Sequence, residues 1–227
     1  MSMEQSLAER YAAIKAGIPA GVTLVAVSKT RSASEVQALY DLGHRDFGEN
    51  YPQELREKQP VLPADIRWHF IGHLQRSNVK YIAPYVHLIH GVEDERLLDE
   101  IEKRAAAAGR VIDVLLQVHI AQEATKHGLS PEELRNAVRS WPWGGRPHVR
   151  VRGLMGMATL TDDREQVRSE FRALHALWSE VRTMGVLPAA EFTELSMGMS
   201  SDADLAIQEG TTMVRIGTAI FGDRAAR

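Results

Sequence analysis

At 227 residues, with 44% hydrophobic and 25% charged, the chain has the composition of a soluble globular protein with a core to bury. The net charge of -3, from 27 basic against 30 acidic residues, excludes a global field for nucleic acid or an anionic membrane, so any anion site must be local. The lack of cysteine excludes disulfides, thiolate metal sites and thiol nucleophiles, and with no leader and no apolar run near the ~20 residues of a membrane span a cytoplasmic protein is expected.

Residues 4–16 place Leu7, Tyr11 and Ile14 on one helical face, with Gly17 as the stop. Thr23 to Val27 is a run of apolar or small residues followed by Ser28, Lys29 and Thr30. It predicts a short strand buried on both faces with a cation at its C-terminal end. Ser32 and Glu35 make a capping box for a helix carrying Val36, Leu39 and Tyr40, which Gly43 ends. Asp46 to Asn50 is a brief second strand and Trp68 to Gly72 a third, with a helix through Val79 and Ile82 after it. Val86 to Val92 gives a fourth strand, and Leu97, Leu98, Ile101 and Ala105 form the inner stripe of a helix closed by Gly109.

Val111 to Val118, rich in β-branched residues, is the fifth strand and ends in polar His119. Ser130 as N-cap, Pro131 at the first helical position and the acids after it start the next helix. Trp141 to Pro147 is an irregular loop, and Val151 to Met157 the sixth strand. Asp162 and Glu165 cap a long helix with the stripe Val167, Phe171, Leu174, Trp178 and Val181, followed by Gly185. Phe192 to Met197 is the seventh strand, Asp202 to Glu209 a short helix and Met213 to Ile216 the eighth strand. Strands alternating with helices demand a parallel sheet, and eight units in this length predict a single (β/α)8 barrel of the TIM type with an extra N-terminal helix, one domain over residues 1–227. An open doubly wound sheet shares the alternation, but no Gly-x-Gly-x-x-Gly follows the first strand.

The C-terminal ends of barrel strands form the functional face, and here they carry Lys29, Asn50, His69 with His73, His90, His119, Met157, Ser196 and Arg215. A lysine at the edge of an apolar interior either snorkels to solvent or is used as an imine-forming amine, and nothing local decides between the two. Ser196 to Asp202 is a hydroxyl- and glycine-rich turn, and Gly217 and Thr218 lie just past the eighth strand. Together they resemble the phosphate cup often made by the loops after strands seven and eight, although each turn alone is an ordinary helix cap. Arg215 is either an ion-paired barrel residue or a partner for a pyridine nitrogen, since pyridoxal phosphate sites combine an imine lysine with an Asp or Arg. His69, His73, His90 and His119 are expected to be hydrogen-bonded histidines and not metal ligands, and Trp68 and Phe70 to be packing residues.

Five stretches carry a resemblance: Ala26-Val27-Ser28-Lys29-Thr30, Phe47-Gly48-Glu49-Asn50-Tyr51, Trp68 to Gln75, Leu195 to Asp202 and Val214 to Gly222. In them the chain resembles the pyridoxal phosphate homeostasis protein family, single-domain relatives of the alanine racemase barrel. The resemblance implies pyridoxal 5'-phosphate as cofactor, held as an internal aldimine on Lys29, with Asn50 near the ring and Arg215 facing the pyridine nitrogen. It further implies Ser200, Gly217 and Thr218 on the phosphate, with Ser196 also in the cofactor set. A non-catalytic carrier in vitamin B6 and amino-acid homeostasis follows, expected as a monomer with apoenzymes as recipients.

An arginine holds its own proton and leaves the pyridine nitrogen unprotonated, so the ring is a poor electron sink. With five residues after Gly222, the second, β-rich domain with which alanine racemases work is not expected here. The alternatives are a single-barrel amino-acid racemase or decarboxylase and, more distantly, an aldolase-like imine enzyme without cofactor. Two departures from the family pattern are Ser77-Asn78 in Arg76-Ser77-Asn78, where the family usually has Asn-Lys after one residue, and His119, where it often has asparagine.

Overall fold

The computed structural model describes residues 6–123 and 127–223. Among them, strands β1 (Thr23–Val27), β2 (Asp46–Glu49), β3 (Arg67–Phe70), β4 (Leu88–Val92), β5 (Ile112–Val118), β6 (Val149–Gly156), β7 (Glu194–Ser196) and β8 (Met213–Ile216) close in chain order into a barrel. Neighbours pair in parallel throughout, and β1 joins β2 through Val27 opposite Gly48 and β8 through Val25 opposite Arg215.

Helices begin where local chemistry supplies partners for the first orphan N–H groups. Reciprocal capping boxes start α1 (Leu7–Ala16) at Ser6 and Glu9, α2 (Ala33–Asp41) at Ser32 and Glu35, and α6 (Pro131–Ser140) at Ser130 and Glu133. Residues 4 and 5 of the predicted first helix lie outside the described residues. The other helices are α3 (Pro52–Lys58), α4 (Val79–Ile82), α5 (Glu95–Ala107), α7 (Arg164–Thr183), α8 (Ala203–Gln208) and α9 (Thr218–Phe221).

Two layers of core follow. Outside the barrel, α5 buries Leu97, Leu98, Ile101 and Ala105, and α7 buries Val167, Phe171, Leu174, Leu177 and Val181. Each such Leu, Val or Phe contributes roughly 1.5–3 kcal/mol by leaving water. Inside it, Val25, Leu88, Leu115, Met155 and Met213 pack together beside a column of polar side chains.

The sequence expectations fail at a few places. The N-cap of α7 is Asp163, not Asp162, because it is the Asp163 carboxylate that accepts from Glu165 N and Gln166 N. Leu177, not Trp178, completes the inner stripe of that helix. Helices α3 and α9 have no counterpart among the predicted elements.

Candidate functional site

Lys29 stands two residues beyond the end of β1, on a turn with a charged foundation. The hydroxyl of buried Ser28 donates to Glu49 Oε1 at 2.6 Å. Lys58, from α3, donates to Ser28 O at 2.9 Å, Glu49 Oε1 at 2.7 Å and Glu54 Oε2 at 2.8 Å. Glu54 Oε2 also accepts the Thr30 N–H at 2.7 Å. Thr30 has φ of 64°, a left-handed conformation that costs a β-branched residue roughly 1–3 kcal/mol and persists where surrounding contacts hold it. Burial pushes the Glu49 carboxyl up to about 7 against the opposing pull of Lys58. Burial works the same way on Glu54, yet hydrogen bonds from Lys58 and Thr30 outweigh it and hold that carboxyl below its ordinary value.

A cavity of about 280 Å³ opens at the barrel mouth between the ends of β1, β2, β7 and β8. Lys29, Asn50, Ser200, Arg215, Gly217 and Thr218 line it, with Val27, Ile71 and Met157 among its apolar residues. Six of the seven candidate residues therefore share one cavity. Two of its polar groups have notable surroundings. Asn50 Oδ1 is buried and finds no hydrogen-bond donor among the described residues, a state that costs free energy unless a ligand group fills it. The Gly217 N–H donates to Ser200 Oγ at 3.4 Å, which brings the loop after β7 against the loop after β8.

Ser196, the seventh candidate, is absent from the lining and fully buried behind Arg215. Its hydroxyl oxygen accepts from Arg215 Nη1 at 2.6 Å, while Arg215 Nη2 donates to Gly156 O at 3.1 Å. The contacts continue across the barrel interior: Ser196 Oγ to His90 Nδ1 at 3.0 Å, His90 Nε2 to His69 Nδ1 at 3.0 Å, and His69 Nε2 to Asp46 Oδ1 at 3.1 Å. With Ser196 accepting from the arginine, its O–H donates to His90, His90 Nε2–H donates to His69, and His69 Nε2–H donates to Asp46. This is the arrangement that leaves every atom paired.

Complete burial holds His90 well below the ordinary histidine value, with His69 and Arg215 adding to the effect. Burial also pushes Arg215 down to about 10, with Asp202 opposing. At the far end burial disfavours the Asp46 carboxylate, but hydrogen bonds from His69 and Arg67 prevail and keep it below the usual carboxylate range.

The histidines of the strand ends separate into distinct settings. His69 and His90 belong to the buried column, His119 Nε2 bonds Glu123 O at 2.9 Å, and His73 stands beside Glu93 and His127. Trp68 and Phe70 are packed in the core. Sequence reasoning missed Glu49, Glu54 and Lys58. The available signal was an i,i+4 Glu-Lys pair on the seven residues after Tyr51, a pattern far commoner on solvated helices.

A barrel with a lysine after β1 and a buried arginine in β8 finds its class in the family model for the alanine racemase N-terminal domain, which matches residues 3–225. A protein of Aquifex aeolicus (strain VF5) named pyridoxal phosphate homeostasis protein is 42% identical over 204 residues, covering 88% of this chain and 86% of its own. PipY of Synechococcus elongatus PCC7942 has been solved without PLP and with PLP bound, at TM-scores of 0.89 and 0.86 and identities of 34% and 33%, over 96% of this chain and 100% of PipY. The chain belongs to the pyridoxal phosphate homeostasis protein family.

Proposed function

We propose that this protein binds pyridoxal phosphate in the cavity at the ends of β1, β2, β7 and β8, and keeps the cofactor for release to other proteins. The observation that carries the proposal is the convergence of an amine, a buried guanidinium, a donorless buried amide oxygen and a hydroxyl- and N–H-bearing rim on one cavity. The names of the relatives, and PipY with PLP bound, support the same ligand.

When bound, pyridoxal phosphate supplies an aldehyde that condenses with a lysine amine and a ring that can draw electrons from what is attached to it. Lys29 is the amine on this cavity, and the turn held by Lys58, Glu49 and Glu54 fixes its backbone. Arg215 keeps its proton, since even at about 10 it binds that proton more tightly than a pyridine nitrogen does, and so acts there as a hydrogen-bond donor. Ser196 and Gly156 O hold two of its nitrogens, which orients the guanidinium. Ser196 thus serves the cofactor through Arg215 and not by touching it. Ser200, Gly217 and Thr218 would offer hydroxyl and N–H donors to the phosphate, and Asn50 would hold its amide near the ring. An arginine at the ring nitrogen, in place of a carboxylate, would leave the ring a weak electron sink, which suits storage and release better than turnover.

Borohydride reduction of the protein mixed with pyridoxal phosphate should leave a pyridoxyl group on the peptide carrying Lys29, and the unreduced complex should restore activity to an apoenzyme that needs the cofactor. A label on another lysine would remove the site assignment. Efficient, stereochemically defined turnover of an amino acid by the purified protein would replace the carrier with an enzyme.

A further inference from the structure

The opposite half of the barrel mouth holds a second cluster, and none of its residues lines the Lys29 cavity. We propose that His73, Glu93 and His127 form a site for a divalent transition cation of the zinc class. They follow successive strands: His73 lies just past β3, Glu93 immediately follows β4, and His127 lies between β5 and α6.

Two imidazoles turn the same atom toward one carboxylate oxygen. His73 Nδ1 lies 3.1 Å and His127 Nδ1 3.5 Å from Glu93 Oε1. Ligand atoms about 2.0–2.1 Å from a tetrahedral zinc ion are about 3.3 Å apart, so both spacings match edges of such a site. The ligand atoms all lie within 4.8 Å of one another. The two rings stack at 4.2 Å between centroids and 20° between planes, leaving both Nδ1 atoms on the side of the carboxylate. Glu93 Oε2 is buried and has no hydrogen-bond donor among the described residues. A cation shared by the three side chains relieves the facing lone pairs, and its own water supplies a donor near that oxygen. Three protein ligands leave a fourth position open, and imidazole with carboxylate selects zinc, cobalt or nickel over magnesium or calcium.

The backbone builds this arrangement without a ligand. A Cβ on Gly91 would lie 2.9 Å from Gly72 O, and one on Gly72 would lie 2.4 Å from Asn50 O, so only glycines let the ends of β2, β3 and β4 approach this closely. His73 and Glu93 follow directly from that approach. On the other side, buried Gln117 donates its amide N–H to His127 O at 3.0 Å, and Leu129 N donates to Gln117 O at 2.8 Å. The cation joins the β5–α6 connection to the ends of β3 and β4, and about half of each histidine side chain remains exposed for its entry.

The test is a titration of the full chain with Zn²⁺ in competition with a chromophoric chelator, repeated with Co²⁺ for the visible bands of a tetrahedral nitrogen and oxygen site. One zinc ion per chain is expected, with affinity reduced by about tenfold or more in His73→Ala and in Glu93→Gln. Zinc should also raise the melting temperature of the wild type and leave that of a His73→Ala/His127→Ala double variant unchanged. Circular dichroism confirms that the variants fold; His127→Ala, at an exposed loop position, repeats the affinity measurement should Glu93→Gln be unstable. Equal zinc binding by the wild type and the double variant, or no zinc taken from the chelator, would show a hydrogen-bonded clamp only. Because Lys29 is untouched, its reaction with pyridoxal phosphate reports the first site separately.

Discussion

The two halves of the barrel mouth solve the problem of placing a reactive side chain in opposite ways. Around β1, β2, β7 and β8 two of the cavity residues stand on buried polar groups: the turn that carries Lys29 on the Glu49-Lys58-Glu54 network, and Arg215 on Ser196 and the histidines behind it. Past the ends of β3 and β4 and on the way from β5 to α6, His73 and His127 are half exposed and owe their place to close backbone approach and one amide bond from Gln117. Burial makes the first half sensitive to residues that touch no ligand, because a buried charge or hydrogen-bonding group left alone cannot turn to water. The second half has water as a substitute partner. Its substitutions should therefore stay local.

The largest contrast is expected between Lys58→Met and His127→Ala. Removing the Lys58 ammonium takes from Glu49 and Glu54 their shared cation, and because that cation opposes the burial that raises Glu49 to about 7, its loss pushes the Glu49 carboxyl further up and leaves the buried pair without its counter-charge. A loss of about 3–5 kcal/mol in denaturant unfolding follows for Lys58→Met, against less than about 0.5 kcal/mol for His127→Ala. Comparable losses in the two variants would erase the distinction between the halves.

Ser196→Ala sharpens the comparison within the buried half. It leaves Arg215 Nη1 and His90 Nδ1 without their shared partner, at a cost of about 1–3 kcal/mol. Affinity for pyridoxal phosphate should fall about tenfold in a spectral titration, while Lys29 remains the labelled residue. An unchanged affinity would mean that Arg215 needs no support from the column.

The smallest expected effect is one of slope. Glu49 has an ordinary value of 4.5 raised to about 7 in the fold, so across that interval the native state holds a proton that the unfolded chain has released. Its contribution to stability is complete below about 4.5 and declines as pH rises toward 7. Glu49→Gln keeps acceptors for Lys58 and Ser28 but cannot titrate. Unfolding free energies measured through this window should fall less steeply with pH in the variant than in the wild type, and parallel curves would contradict the placement of Glu49.

What the sequence made legible were features whose causes are local. The capping box at Ser32, the N-cap at Ser130 and the apolar run that delivers Lys29 each lie within a few consecutive residues, and the structure has them in place. Lys29, Asn50 and Arg215 were found because strand ends in a barrel share a face, a rule that needs only the order of elements, whereas Ser200 was singled out within its loop by the family resemblance. Helix α3 escaped because seven residues with Leu55 as their one buried leucine carry little periodicity. Lys58 escaped with it, since its value comes from meeting Glu49 on another element. The column escaped for the same reason: Asp46, His69, His90 and Ser196 occupy four different strands, and their contacts depend on which face of each strand points inward. His73 and Glu93 came together through glycine approaches, and His127 joined them through the Gln117 amide, neither of which a spacing rule encodes.

The column from Arg215 to Asp46 has one further consequence. Each group in it donates in the same direction, from the guanidinium at the open end toward the carboxylate at the closed end, where Arg67 grips Asp46 from outside. Whether Asp46 can go on accepting decides which nitrogen of His69 carries its proton. That choice fixes His90, and His90 fixes the lone pair that Ser196 turns to Arg215. A charge altered at Arg67, on the face away from the cavity, is therefore expected to reach the hydrogen-bonding environment of the guanidinium through this column. The colour of a cofactor bound beside Arg215 would register an event at the opposite pole of the molecule.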